Sequence, residues 1–162
     1  MDRATAALQS ADTMIDMMSR RGHVLVNNDV AIDDTLWALE FDDGSIAVMM
    51  HQSDVNMDMA ERLRELDIDR LIVVYCGKLT PAAKQLLGDV ELWEDTKLRC
   101  NPFQFNFITT AAIVAPRTDA HTLPKLFLTD PLCRYLDAKV GDIVKVEISQ
   151  QTKYRVVIEN PS

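Results

Sequence analysis

The segment that most constrains the fold is a short, continuous apolar run in the middle of the chain, residues 70–76 (Arg-Leu-Ile-Val-Val-Tyr-Cys). Because its apolar residues do not alternate with polar ones, the run predicts a strand covered on both faces. Residues 57–66 before it have the charge-paired, amphipathic pattern of an exposed helix. After it, Thr80 and Pro81 are typical of a helix start, with Thr80 as the cap. A buried strand between two helices predicts an α/β layer.

Two further elements are predicted ahead of this layer. Residues 8–21 carry apolar side chains, several of them methionines, at three- and four-residue spacing, which predicts an amphipathic helix ending near Gly22. We expect the methionines to fill the core. Residues 35–41 and 45–51 flank Asp42-Asp43-Gly44, and an Asp-Gly pair suits the tight turn of an antiparallel hairpin.

Two shorter stretches have weaker signals. Residues 25–26 predict a short strand, and Asn27-Asn28-Asp29 carries the signals of a loop. Residues 92–98 fit either a strand or a short helix. Trp37 and Trp93 are expected in the core, because neither lies in an aromatic and basic cluster of the kind that stacks exposed bases.

The chain is long enough for two small domains. With 162 residues, of which 48% are hydrophobic, each domain would have a modest core. An extended apolar stretch over residues 111–115 is followed by Pro116-Arg117-Thr118-Asp119, which has the composition of a linker. We place the boundary within residues 104–122, between a first domain of residues 1–110 and a second of residues 118–162.

The excess negative charge lies in the first part of the chain. The formal net charge is −8; residues 1–117 hold 11 Lys and Arg against 19 Asp and Glu, a net of −8, whereas residues 118–162 hold six of each. A protein that binds nucleic acid by itself normally has a basic surface, because its affinity comes largely from neutralising phosphates. This chain is therefore not expected to hold DNA alone.

The residues that bind metals or form disulfides are scattered. No Cys-x-x-Cys pair occurs, so neither a disulfide framework nor a zinc site is predicted for Cys76, Cys100 and Cys133. Neither a metal site nor a catalytic triad is favoured by the isolated His23, His51 and His121. The chain starts with polar residues and has no apolar stretch of the roughly 20 residues that span a bilayer. We expect a soluble protein in a reducing, intracellular compartment.

The most informative motif lies in the last third of the chain. It consists of Leu123-Pro124-Lys125, then Asp130-Pro131-Leu132-Cys133-Arg134-Tyr135, then residues 138–146 (Ala-Lys-Val-Gly-Asp-Ile-Val-Lys-Val). Asp130-Pro131 predicts a helix start at which the carboxylate caps the following turn. Val140-Gly141-Asp142 then predicts a break before an alternating strand over residues 143–148. The motif lacks a nucleophile and base, a phosphate-binding glycine loop and a metal-ligand spacing.

This motif resembles the C-terminal assembly domain of the fifth-largest subunit shared by the eukaryotic nuclear RNA polymerases, which is also found as a small subunit of archaeal RNA polymerase. The family pattern is Leu-Pro-basic, Asp-Pro-apolar-small-Arg-Tyr, Gly-x-Lys-x-Gly-x-Val-Val-Lys-Ile and a later Tyr-Arg-apolar-Val strand, here Tyr154-Arg155-Val156-Val157. Residues 72–74 followed by Thr80-Pro81-Ala82-Ala83-Lys84 also resemble the strand, turn and helix of the family's eukaryotic N-terminal jaw. Since the archaeal member of the family lacks the jaw, the chain is similar to the two-domain eukaryotic form.

The chain departs from this pattern in three places. Family members usually carry a His-x-Leu-x-Pro-x-His stretch and a helix ahead of the Leu-Pro motif, whereas residues 111–117 retain only Pro116 and lead directly towards Leu123. Asp137 replaces a usual glycine, and Val140 replaces a common proline or arginine, which leaves the local turn geometry open. A shortened two-domain form suggests a divergent lineage, such as a large DNA virus that encodes its own polymerase.

The resemblance implies both a fold and a function. The fold would be an N-terminal α/β jaw with a restriction-endonuclease-like layer, followed by a small, mainly β assembly domain. The chain would be a non-catalytic subunit of a multisubunit DNA-dependent RNA polymerase, anchored on the largest subunit, in contact with other polymerase subunits and beside downstream duplex DNA. No cofactor, metal, membrane or small-molecule substrate is implied, because catalysis and its Mg²⁺ belong to the large subunits. The location would be the nucleus for a cellular protein, or the host cytoplasm, viral factory or virion for a viral one.

The resemblance also implies two sets of site residues. The DNA-proximal set comprises Lys78, Thr80, Pro81, Ala82 and Lys84. The subunit-docking set comprises Leu123, Pro124, Asp130, Pro131, Arg134, Tyr135, Lys139 and Gly141. A structural alternative stays open for each: an ordinary capped helix for the first set, and an internal Asp130–Arg134 pair for the second.

Two other functions stay open. One is a free-standing protein-interaction adaptor that kept the fold. The other is a degenerate nuclease, because Asp42 or Asp43 could supply the first acid of a metal site. Residues 45–50 lack the Glu/Asp-x-Lys group that such a site needs on the next strand, which disfavours catalysis.

Overall fold

The computed structural model describes residues 3–32, 36–50, 54–105 and 107–161. The chain divides into two compact units, Met1–Arg99 and Cys100–Ser162. The first is an α/β layer and the second is small and rich in strands, which confirms the expected fold class. None of the described helices is long and apolar enough to cross a membrane.

The first unit is built on a five-stranded sheet whose spatial order follows the chain order. The strands are β1 (Leu25–Ala31), β2 (Trp37–Phe41), β3 (Ile46–Met50), β4 (Leu71–Tyr75) and β5 (Glu91–Glu94). The helices are α1 (Arg3–Arg20), α2 (Met57–Glu65), α3 (Pro81–Leu87) and α4 (Asp95–Leu98). β1, β2 and β3 pair antiparallel, and β3, β4 and β5 pair parallel. Because parallel neighbours need a crossover, α2 and α3 supply the two connections.

β4, which the apolar run forms, is buried on both faces, as the run predicts. α2 and α3 pack on one face, where Leu63 and Leu87 join Val48 and Val73 in one buried cluster. On the opposite face the alternate residues of the strands are also buried, and α1 contacts β1 and β3 there. The predicted core methionines of α1 are confirmed by the burial of Met14, Met17 and Met18.

One salt bridge and one hydrogen bond join α1 and the residue after it to β5 and α4. Arg21 forms two hydrogen bonds to the Glu91 carboxylate, at 2.8 and 2.7 Å, and the Trp93 indole N–H donates to the same group at 2.7 Å. Ser10 donates to Asp95, which also pairs with Arg99 at 2.7 Å. The carboxylates of Glu91 and Asp95 therefore form contacts that hold the elements of the first unit together.

The hairpin prediction is confirmed, whereas one loop prediction is wrong. β2 and β3 pair antiparallel around the turn, in which Gly44 has φ +81°; residues 35 and 51 lie outside the described part of the chain. Residues 27–29 continue β1 instead of forming a loop, because two register irregularities accommodate their polar side chains on an exposed edge strand. Residues 92–98 contain both predicted alternatives, the end of β5 and then α4.

The second unit contains a four-stranded sheet of order β6-β8-β9-β7. Its strands are β6 (Ile108–Val114), β7 (Lys125–Phe127), β8 (Ile143–Ile148) and β9 (Gln151–Ile158). β7 pairs parallel with β9, and the other two pairs are antiparallel. Two short helices, α5 (Pro102–Phe105) and α6 (Pro131–Leu136), accompany the sheet, and α6 contributes Leu132, Cys133 and Leu136 to the core around Val144.

The division between the units lies earlier than the boundary predicted within residues 104–122. β6 pairs with β8, which places residues 108–114 in the second unit. The segment predicted as a linker also lies on this unit, since the Arg117 guanidinium stacks 4.4 Å from the centroid of the Tyr154 ring. The difference arises because the residues of β6 pair with residues of β8 that lie 29 to 40 positions further along the chain, which local composition does not reveal.

Candidate interaction surfaces

The Asp130-Pro131 motif starts α6, as the sequence predicts. Asp130 is the N-cap, and its carboxylate accepts a hydrogen bond from the Leu132 N–H at 2.8 Å. Pro131 lies in the first turn, where the missing N–H costs nothing. The motif therefore fixes the start of a six-residue helix that would be too short to persist alone.

The end of α6 explains the substitution of the usual glycine. Asp137 has φ +54° and ψ +37°, the left-handed conformation that glycine adopts without strain. The Ala138 N–H returns to the Cys133 carbonyl at 2.9 Å, which closes the helix. Asp137 thus reproduces the backbone conformation expected of a glycine, and its carboxylate pairs with Lys139 at 2.6 Å.

The turn between α6 and β8 is held by backbone bonds to β9. Gly141 has φ +94°, and its N–H donates to the Val157 carbonyl at 2.9 Å. The Val157 N–H donates in return to the Asp142 carbonyl at 2.9 Å. The Lys139 N–H donates to the Asp142 carboxylate at 2.7 Å. Because φ in this range favours glycine, the turn needs Gly141.

The proposed docking residues differ in exposure. Pro124, Pro131, Arg134, Lys139 and Gly141 are exposed, and Leu123 and Asp130 are half-buried. Tyr135 is only 1% exposed, and its ring lies 5.5 Å from that of Phe103. The structure therefore places the Tyr135 ring in the core of its own unit, and Arg134 on the surface of the same helix.

Cys133 is the buried cysteine of this region. Burial, and then the charges of Asp130 and Asp142, raise the pKa of its thiol to about 11. Such a thiol is a poor nucleophile at neutral pH. Cys76 and Cys100 are exposed.

The predicted DNA-proximal residues lie at the start of α3 in the first unit. The Thr80 hydroxyl accepts from the Ala83 N–H at 3.3 Å, which confirms the predicted cap. Pro81, Ala82 and Lys84 are exposed, as is Lys78. The surface is not uniformly basic, because the Asp54 carboxylate accepts from the Lys78 N–H at 2.6 Å.

Gly77 permits the close approach of two loops at this tip. A Cβ atom at Gly77 would lie 2.2 Å from Asp54 Oδ1 and 3.0 Å from the Asp54 backbone nitrogen. Two backbone bonds join the same loops: Val55 N–H to the Lys78 carbonyl at 2.8 Å, and Thr80 N–H to the Val55 carbonyl at 3.1 Å. The residues preceding α2 and α3 thus form one rigid tip.

The hairpin turn carries a charged cluster that the sequence did not reveal. The His23 ring nitrogens lie 3.7 Å from Asp42 and 3.5 Å from Asp43, and Arg70 pairs with Asp43 at 2.8 Å. Partial burial raises the pKa of Asp43, but hydrogen bonds from Ser45 and Arg70 and the charge of His23 outweigh it and lower the pKa to about 2. The only sequence signal was the position of His23 directly after the helix-ending Gly22.

This cluster has the geometry of three metal-ligand side chains but is already occupied by hydrogen bonds. One ligand atom from each of His23, Asp42 and Asp43 lies within 4.8 Å of the others. Asp42 accepts from the Val24 N–H at 3.0 Å, and both Asp43 oxygens accept from Ser45. The arrangement accordingly serves to fix the turn. His51 lies outside the described residues.

The part of the chain that matches a known protein family lies in the second unit. Residues 115–158 match the family described as RNA polymerase Rpb5, C-terminal domain. The matched range begins directly after β6 and includes α6, its caps and the turn at Gly141. Residues 115–158 of this chain are therefore similar to the C-terminal domain of Rpb5.

Individual relatives agree with the Rpb5 match. The subunit RPABC1 of DNA-directed RNA polymerases I, II and III from Caenorhabditis elegans is 24% identical over 115 residues, which cover 61% of this chain and 54% of that protein. The RPABC1 of Caenorhabditis briggsae has the same values. The DNA-directed RNA polymerase subunit Rpo5 of Methanothrix thermoacetophila is 41% identical over 46 residues, 25% of this chain and 59% of that protein. The chain thus spans somewhat more than half the length of the relatives that it matches.

Proposed function

We propose that this chain is a non-catalytic subunit of a multisubunit DNA-dependent RNA polymerase. The observation that carries the proposal is the Rpb5 match over residues 115–158, in which the capped helix α6 and the Gly141 turn fold as the motif predicts. The relatives are named as polymerase subunits. Catalysis is assigned to the large subunits of the same enzyme.

The second unit would anchor the chain on the largest polymerase subunit. Pro131, Arg134 and Lys139 are exposed on its surface. A guanidinium can form paired hydrogen bonds with a partner carboxylate, which makes Arg134 the best candidate for a specific contact. Tyr135 would act indirectly, by holding α6 against the core through its packing with Phe103.

The first unit would lie beside downstream duplex DNA as part of the jaw. The tip before α3 carries Lys78, and α3 itself exposes Pro81, Ala82 and Lys84. Residues 1–99 hold 10 Lys and Arg against 19 Asp and Glu, a net of −9, so the unit as a whole repels DNA. Contact with the backbone of the duplex would therefore depend on prior assembly, and it would carry no base specificity.

The location follows from the same proposal. A polymerase subunit of a eukaryotic cell works in the nucleus, whereas one encoded by a virus that replicates in the cytoplasm would be found in the viral factory or virion. Imaging of the tagged chain together with a large polymerase subunit would distinguish these locations, because the two should coincide.

Two surface variants test the assignment of the units. Tagged Arg134→Ala and Lys84→Ala chains would each be expressed beside the wild-type chain, and their incorporation into purified polymerase compared by quantitative mass spectrometry. We expect Arg134→Ala to lower incorporation about tenfold, as for a truncated interface arginine, and Lys84→Ala to leave it unchanged. Equal incorporation of both variants would count against anchoring through the second unit.

The nuclease alternative has its own discriminating experiment. The purified chain would be incubated with duplex DNA and Mg²⁺, with the Asp42→Ala variant as the control. Mg²⁺-dependent cleavage that disappears in this variant would overturn the non-catalytic assignment. We expect no such cleavage, because Asp42 accepts from the Val24 N–H, the Asp43 oxygens are held by Ser45 and Arg70, and residues 45–50 lack the Glu/Asp-x-Lys group.

A further inference from the structure

Three of the four edge strands carry features that discourage pairing with another chain. β1 has two register irregularities and the polar residues Asn27, Asn28 and Asp29. β5 has four residues, of which the first and last are glutamates, and β7 has three residues beginning with Lys125. Irregular, short and charged edges are the usual protections against strand addition.

β6 has almost none of these protections. Its seven residues, Ile-Thr-Thr-Ala-Ala-Ile-Val, include no charge and no proline, and the one register irregularity lies at its start, between Ile108 and Thr110. Within the described ranges, β8 is the one strand that pairs with β6, so its other side presents a row of backbone donors and acceptors. Such a row is complementary to an extended polypeptide segment.

Apolar side chains mark both ends of this strand. Phe107, directly before β6, is 83% exposed, and Ile113 near its end is 42% exposed. Phe107 also has φ +53°, a conformation that is strained for a bulky residue. An exposed aromatic ring on a strained backbone, next to the uncharged edge of a sheet, is typical of a contact that becomes buried in a complex.

The charge of the chain indicates which occupant fits. A second copy would bring together two chains of net charge −8, which disfavours association of identical copies. Residues 100–162 hold seven Lys and Arg against six Asp and Glu, a net of +1, so the repulsion between copies arises from residues 1–99, which every copy carries. β6 is also bonded along its length to β8, which lies inside the Rpb5-matched range.

We propose that β6 is a strand-addition site that receives an extended, uncharged to basic segment of a large polymerase subunit. The identity of the partner rests on the proposed function, whereas the site itself rests on the geometry of β6. Phe107 and Ile113 would contact alternate side chains of the added strand. This surface is separate in sequence from α6, so docking would use two elements of the second unit.

Two variants change the exposed side chains at β6 and are chosen to preserve the fold. Ala112→Glu puts a charge on an exposed position that lies opposite Lys145 of β8, so the new carboxylate has a favourable cross-strand neighbour in the free chain. Phe107→Asn removes the ring but keeps a residue type that tolerates positive φ. Asn28→Glu adds the same charge to the exposed, irregular edge β1 and serves as the control.

The test uses the full-length tagged chain expressed in the cells of its source. Incorporation into purified polymerase would be quantified for each variant, and hydrogen exchange of the β6 amides compared between the free chain and the assembled enzyme. We expect exchange of the outward amides to slow at least roughly tenfold on assembly. We expect Ala112→Glu and Phe107→Asn to lower incorporation about tenfold, and Asn28→Glu to leave it unchanged.

The outcomes separate this inference from the proposed function. If the wild-type chain enters the polymerase but β6 exchanges as fast as in the free chain, or the β6 variants enter as well as Asn28→Glu, strand addition is wrong and the polymerase assignment stands. If the wild-type chain does not enter a polymerase, both are wrong. Protection of β6 that appears only with increasing concentration of the free chain would identify a second copy as the occupant and likewise overturn the proposal.

Discussion

At the scale of single residues, the end of α6 carries one departure from the family pattern that this chain resembles. Asp137 takes the left-handed conformation at the end of α6, where the resembling family carries glycine. Aspartate tolerates this conformation better than most residues, but a Cβ atom still adds strain that glycine avoids. The substitution therefore leaves a small, measurable cost in stability.

Asp137→Gly is expected to stabilise the chain, and Asp137→Val to destabilise it. Relief of the backbone strain should raise the free energy of unfolding by about 0.5–1 kcal/mol, somewhat offset by loss of the exposed pair with Lys139. The β-branched valine should lower it by about 1–2 kcal/mol. Urea unfolding measures both changes. A glycine variant less stable than the wild type would contradict this view of the α6 terminus.

The three cysteines are expected to react at different rates. Cys76 and Cys100 are exposed, whereas Cys133 is buried and has a thiol pKa of about 11. At pH 8 a thiol reagent should therefore modify two residues per chain rapidly and the third only after unfolding. Mass spectrometry of the modified protein checks the count, with Cys76→Ser as the control that should reduce the rapid count to one. Rapid modification of Cys133 in the native chain would show that α6 is not packed as described.

At the scale of elements, the charged cluster at the hairpin turn links β2 and β3 to the start of β4. Asp43 accepts hydrogen bonds from Ser45 and pairs with Arg70 and His23, so one carboxylate connects the turn to neighbouring segments. Its pKa of about 2 lies below the ordinary value of 3.8. A depressed pKa means that the folded chain favours the charged carboxylate, and this contribution is complete above the unfolded pKa.

Asp43→Asn should therefore cost stability at pH 7 and progressively less in acid. Allowing for solvent screening, we expect the free energy of unfolding to fall by about 1–2 kcal/mol at neutral pH, where Asp43 is charged in both the folded and the unfolded chain. As the pH falls from about 5 towards 2, protonation removes the contribution from the wild type, and the difference between the two proteins should narrow. Urea unfolding at pH 7 and pH 3 tests this, and a difference that stays constant would rule out the role of the charge.

At the scale of the whole molecule, the local sequence patterns predicted individual helices and strands better than they predicted which strands pair with each other. The α/β layer, the hairpin and both capped helices follow from apolar periodicity and from the caps Thr80 and Asp130. The start of β1 at residues 25–26 was predicted, but its continuation through residues 27–31 and the place of β6 in the second sheet were not, because both depend on pairing with other segments of the chain. The His23 cluster was missed for the same reason, since folding alone brings His23 to the hairpin turn.

The first unit is acidic, whereas the second is nearly neutral. Residues 1–99 carry a net charge of −9 and residues 100–162 a net of +1. A chain with this distribution cannot hold DNA through its overall field, because its larger unit repels phosphates. The proposed position beside DNA would therefore depend on protein contacts, which we propose are made by the smaller unit.

The most direct measurement is the composition of the polymerase purified through this chain. The tagged full-length protein would be isolated from the cells in which it is made, and the complex weighed by native mass spectrometry. We predict one copy of the chain in each multisubunit RNA polymerase, bound to the largest subunit. Recovery of the chain only as a free monomer, with transcription unaffected by its removal, would contradict the polymerase assignment.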